Sequence, residues 1–145
     1  MKHATLKTMG LALALSGPLF LAPVAAAVAA EAEAKTAIPE TADAILLAID
    51  TKSAELKKTI DSGALDEVHH QAFAIRDLVA ALPAKSASLP ADKLAKIRGN
   101  VKFVATLAER LDTTGDAKDM AGTKSNYAKL TTVLASIHSN YTSAK

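Results

Sequence analysis

The sequence predicts an all-α fold, an antiparallel up-down-up-down four-helix bundle preceded by a cleavable signal peptide. Three observations predict it. Apolar residues recur at three- and four-residue steps in four separate stretches of the chain, the stripe that one face of a helix needs. Gly63, Pro83, Pro90 and Gly115 punctuate the boundaries between those stretches. No stretch alternates polar and apolar residues with the two-residue period of a strand.

The elements follow in order. Residues 1–30 begin with Lys2 and Lys7, continue through the apolar run from Met9 to Leu21, and end in small residues from Ala22 to Ala30. That is the layout of a secretory signal, with Val28-Ala29-Ala30 before Glu31 as the cleavage site and Ala25-Ala26-Ala27 as a second one. Pro18 and Pro23 argue against a membrane-spanning helix, so the processed product is expected in the periplasm with no membrane attachment. Residues 31–38 form a flexible leader, and the bundle occupies residues 39–145.

Helix 1 is expected from about Pro39 to Asp61, with Ala42, Ile45, Ile49, Leu56 and Ile60 inward, Ser53 filling one place in the stripe and Gly63 as the stop. Helix 2 runs from about Leu65 to Leu82 on the seam Leu65, Val68, Ala72, Ile75, Val79 and Leu82, and Pro83 ends it. Pro90-Ala91-Asp92 opens helix 3, whose seam is Leu94, Ile97, Val101, Val104, Ala108 and Leu111. Thr113-Thr114-Gly115-Asp116 reads as a turn and N-cap, and helix 4 then spans about Ala117 to Tyr141 with Met120, Tyr127, Leu130, Leu134, Ile137 and Tyr141 inward. The turn around Gly63 and the one around Gly115 echo each other, Ile60-Asp61-Ser62-Gly63 against Leu111-Asp112-Thr113-Thr114-Gly115, which suggests two helical hairpins. Joints this short force neighbouring helices antiparallel.

Charge and composition exclude several functions. The chain carries 17 Lys and Arg against 15 Asp and Glu, and the signal holds two of the bases and none of the acids, leaving a neutral mature chain. Such a balance lacks the broad basic footprint of a nucleic-acid binder. With no cysteine, disulfides, thiolate metal sites and cysteine catalysis are excluded. No Gly-rich phosphate loop, nucleophile motif or inward carboxylate pair points to an enzyme.

The chemistry-bearing residues of the mature chain are its histidines. His69 and His70 stand in the first turns of helix 2, and neighbouring residues on a helix diverge by about 100°, so they do not form one inward chelate. Asp66 lies three residues before His69 and four before His70, and Glu67 three before His70, spacings that put a carboxylate and an imidazole on one face. Asp112, Asp116 and Asp119 stand at the same end of the bundle. The expected metal site is therefore His69, His70, Asp66 and Glu67, for Cu, Zn, Ni or Co. His138 lies in the last turn of helix 4, on the order of 20–30 Å from that pole along the bundle. Phe73, Phe103 and Leu107 fall just off the seams, where they line the core margin or a groove for a partner.

Leu130-Thr131-Thr132-Val133-Leu134-Ala135-Ser136-Ile137-His138-Ser139-Asn140-Tyr141 resembles the C-terminal helix of the soluble periplasmic b-type cytochromes, the cytochrome b-562 family, and Ile75-Arg76-Asp77-Leu78 matches it loosely. The resemblance implies His138 as a haem ligand in an electron carrier. The family's second ligand is a methionine early in helix 1, where this chain has Ile45, Leu46, Ile49 and Asp50. Met120, the only methionine after the signal, begins helix 4 at the far end from His138, so the Met/His ligation is not available. Two further runs, from Glu67 to Pro83 and from Val101 to Asp112, resemble small exported bundles of unknown function associated with heavy-metal efflux loci. That resemblance implies a metal-accessory role. The function expected is a non-enzymatic periplasmic accessory or binding bundle in transition-metal homeostasis, monomeric or homodimeric, with a metal ion or a periplasmic protein as partner. A haem-binding electron carrier and a purely protein-binding structural bundle are the alternatives.

Overall fold

Thr41 starts the first helix: its backbone is extended and its Oγ1 accepts the Ala44 N–H at 3.2 Å, satisfying one of the orphan donors of the first turn. The computed structural model describes residues 36–142. The expected signal peptide and residues 31–35 of the leader lie outside the described residues. Four helices follow one another, α1 (Ala42–Ser62), α2 (Val68–Lys85), α3 (Ala91–Asp116) and α4 (Met120–Thr142), with a 3-10 turn at Leu65–Glu67 ahead of α2. Among the described residues there is no strand, and no helix is long and apolar enough to cross a membrane.

The joints after α1 and after α3 use one hydrogen-bond device. At the first, Gly63 has φ of 80°, its N–H donates to Ile60 O and the Ala64 N–H donates to Thr59 O. At the second, Lys118 has φ of 55°, its N–H donates to Gly115 O and the Asp119 N–H donates to Thr114 O. This is the Schellman pattern, with the left-handed residue just past the helix end. The sequence echo is therefore real but shifted, since Gly63 corresponds to Lys118 and not to Gly115.

That shift corrects the expected turn at Thr113 to Asp116, which is helical throughout. Asp119, not Asp116, caps the last helix, its Oδ1 accepting the Gly122 N–H at 2.9 Å. Gly115 is glycine for another reason: a Cβ there would fall 2.5 Å from the Leu65 carbonyl oxygen, so the end of α3 lies directly against the 3-10 turn before α2. Pro83 also does not end its helix, which continues to Lys85. Proline's φ suits a helix, and the turn continues past it although it lacks the N–H that would bond the Val79 carbonyl.

Most of the seams of α1, α2 and α3 pack as their spacing predicts, with Ile45, Ile49, Leu56, Val68, Ala72, Ile75, Val79, Leu82, Ile97, Val104, Ala108 and Leu111 fully buried, while Ala42, Leu94 and Val101 are only half-buried. Ser53 leaves room for Tyr127, whose hydroxyl donates to Ser53 O at 3.2 Å. The seam of α4 differs from expectation. Leu130, Leu134 and Ile137 are buried, but Thr123, Asn126 and Asn140 share the buried face while Met120, Tyr127 and Tyr141 are only half-buried. These polar groups find local partners. Asn126 Nδ2 donates to Arg110 O at 3.3 Å, Thr123 Oγ1 donates to Asp119 O at 2.8 Å, and Asn140 Nδ2 donates to Ser136 O at 2.7 Å. Packing is extensive for α1 on α2, α2 on α3 and α3 on α4, and sparse for α1 on α4.

At the end of α4, the Tyr141 hydroxyl lies 2.6 Å from Ser86 Oγ beside a pocket bordered by Thr41, Asp43 and Leu89. Burial raises the Tyr141 pKa above the usual tyrosine value of 10.0, against the opposing pull of the Ser86 hydrogen bond. A folded-state pKa above the unfolded one means a contribution to stability that is present below pH ~10 and lost as pH rises through the folded value. Urea midpoints measured at rising alkaline pH are therefore expected to fall more steeply in the wild type than in Tyr141→Phe.

Candidate metal-binding pole

Leu65 is buried and anchors the short 3-10 turn against the end of α3, which carries Asp66 and Glu67 outward on either side of the joint. From there α2 begins, with His69 half-buried and His70 exposed in its first turn. The His69 and His70 rings lie with centroids 3.9 Å apart and tilted by 45°. His70 Nε2 is 3.4 Å from Glu67 Oε2. His69 also packs near Phe73, centroid to centroid 6.5 Å, and the Arg76 guanidinium caps that ring at 4.5 Å.

The structure therefore brings together Glu67, His69 and His70. Asp66 turns elsewhere: its Oδ2 is 3.1 Å from Lys118 Nζ, the left-handed residue of the other joint. A 3-10 turn eclipses residues three apart, which keeps Asp66 on the side of His69 and turns it away from His70. The hydrogen bond and charge of Lys118 hold the Asp66 carboxyl below the usual carboxylate range, with a smaller pull from His69. Asp119 is occupied as the cap of α4. Among the described residues no three His, Asp or Glu side chains converge into a set able to hold a metal ion. What the pole offers is a carboxylate and an imidazole in contact, a second imidazole beside them, and a further carboxylate held by an exposed cation.

His138 lies on the other side of the molecule's chemistry. Its Nε2 is sealed from solvent and 3.0 Å from Asp50 Oδ1 on α1, close enough for charge pairing but off the line of a directed hydrogen bond. Sequence reasoning noted Asp50 near that position and did not pair it with His138; the register between α1 and the end of α4 was the missing piece. Lys118 gave no sequence signal at all, because its role depends on where two joints meet. The three residues expected at the core margin or a groove separate: Leu107 is buried, Phe73 is half-buried under Arg76, and Phe103 is 63% exposed. Compared with family models, curated proteins and solved structures, the chain gives no match.

Proposed function

We propose that this chain is a non-enzymatic, exported helical-bundle accessory protein of the periplasm that binds a transition metal ion at the pole formed by Asp66, Glu67, His69 and His70. The observation that carries the reading is the Glu67–His70 contact at 3.4 Å with the His69 ring beside it. Imidazole nitrogen with carboxylate oxygen suits the borderline divalent ions Cu, Zn, Ni and Co. A closed structural site has four protein ligands. Here fewer donors are in touch, and Asp66, Glu67 and His70 are exposed, so the ion exchanges readily, which fits capture and hand-over rather than permanent storage. An up-down-up-down order of the four helices is part of the proposal. Support for it comes from Asn100 Nδ2, early in α3, donating to Ser136 Oγ near the end of α4 at 3.3 Å, and from Lys118 of one joint meeting Asp66 of the other.

Haem, which the cytochrome resemblance implies for His138, does not fit these residues. His138 Nε2 faces the Asp50 carboxylate, Ile45 and Ile49 fill the neighbouring interior of α1, and Met120 stands at the opposite end of α4.

Calorimetric titration of the metal-free protein with Cu, Zn, Ni and Co salts tests the proposal. Saturable uptake of one ion is expected, abolished in the His69→Ala/His70→Ala double variant. Lys118→Ala is expected to tighten binding a few-fold, because it frees the Asp66 carboxylate from a competing cation on the scale at which exposed ion pairs act. Equal affinity in wild type and the double histidine variant would overturn the site.

A further inference from the structure

Among the described residues, two exposed helix faces have no partner helix, and their chemistry is opposite. On α1, Leu47 is 68% exposed, with Asp43 one turn before it and Asp50 one turn after. No basic residue occurs from Glu40 to Thr51. On α3, Phe103 is 63% exposed, and Lys96 and Arg110 stand seven residues to either side on the same helix face. No acidic residue occurs from Lys93 to Thr106, a stretch that holds four cations. Gly99, between Lys96 and Phe103, looks onto open space, since a Cβ there would meet no atom within 4 Å. The acidic face thus carries an aliphatic knob, and the basic face carries an aromatic one beside a glycine notch.

Within one molecule these faces cannot meet. Each of α1 and α3 packs extensively on α2, and the two do not pack extensively on one another, so their outer faces look away from each other. We propose that they dock between molecules: the Leu47 face of α1 in one copy lies on the Phe103 face of α3 in the next, and the occupant of each face is a second copy of this chain. Register supports this choice. With Leu47 opposite Phe103 and the helices antiparallel, Glu40 comes opposite Arg110 and Lys58 opposite Asp92. The parallel alternative puts Glu40 opposite Lys96, so the acidic stretch of α1 meets the basic stretch of α3 in either helix direction. Asp50 stays available for this contact, its side chain being 60% exposed despite His138.

The interface is heterologous, with different patches on the two copies, so association continues head to tail until a ring closes or a short filament forms. One helix face on another buries less than the ~1,200 Å² of stable specific interfaces. Association is accordingly weak, strengthened by concentration and reversed by salt. None of the residues involved belongs to the metal pole, so this inference stands apart from the proposed function.

Sedimentation velocity of the purified protein over a concentration series, at low and high salt, tests it with two variants. Leu47→Lys blocks the α1 face and Phe103→Ser removes the α3 anchor; both positions are exposed, and unchanged far-UV circular dichroism checks the fold. The wild type is expected to grow in mass with concentration at low salt and return to monomer at high salt. Each variant alone is expected to stay monomeric. Mixed together they are expected to form a one-to-one complex and nothing larger, because one intact pair of faces remains between them. A wild type that stays monomeric, assembly that ignores salt, a variant that assembles like the wild type, or a mixture that fails to pair would each overturn the proposal.

Discussion

Ile137→Ala is expected to remove about 2–5 kcal/mol of stability, a large share of the ~5–15 kcal/mol that holds a domain of this kind together. Ile137 is completely buried, and it belongs to α4, whose buried face is already diluted by Thr123, Asn126 and Asn140. The size of the loss within that range depends on how far the side chains around Ile137 can relax into the cavity. Urea denaturation followed by circular dichroism measures the loss. Val133→Ala, at a half-buried position on the same helix, provides the comparison and is expected to cost much less.

Gly115→Val is the second large effect. A valine Cβ would have to occupy a point 2.5 Å from the Leu65 carbonyl oxygen and 3.5 Å from the Val68 Cβ, and the close neighbour is backbone, which cannot swing aside. Overpacking of this kind costs about 1–3 kcal/mol, more than the gain from replacing a helical glycine. The displaced segment is the 3-10 turn that carries Asp66 and Glu67, so the substitution is also expected to speed amide hydrogen exchange from Leu65 through Ala72. Gly99 is the control: it is helical, nothing stands within 4 Å of its missing Cβ, and Gly99→Ala is expected to stabilise by up to about 1 kcal/mol. Opposite signs at two helical glycines separate close approach from helix propensity.

The fold's legibility varied with the kind of physics involved. The seam of α2 was fully readable because burial of Val68, Ala72, Ile75, Val79 and Leu82 follows directly from helical period and hydrophobicity. Joints were harder. Gly63 ends α1 in a left-handed conformation, which glycine signals, but the matching position after α3 is Lys118, while Gly115 answers to a carbonyl from another part of the chain. A glycine in a sequence states only that a side chain is unwelcome, not whether a turn or a neighbour excludes it. The polar residues buried in α4 were unreadable for a related reason. Thr123 and Asn126 are tolerated there because Asp119 O and Arg110 O accept their protons, and those partners exist only once the joint is built.

At the candidate pole, local spacing gave the contact between Glu67 and His70, three residues apart, and failed for Asp66, which a cation from the other hairpin captures. His138 and Asp50, separated by most of the chain, meet only through the register of α4 on α1. Interactions within one turn are written in the sequence; those across the bundle depend on which ends come together.

Native mass spectrometry of the protein purified from the periplasm, wild type beside His69→Ala/His70→Ala, tests the central claim most directly. The account predicts a chain beginning at Glu31 that retains one Cu, Zn, Ni or Co ion, and a double variant of the expected mass that retains none. A wild type without metal after growth in medium supplied with these ions, an ion still held by the double variant, or a haem-sized increment would contradict it.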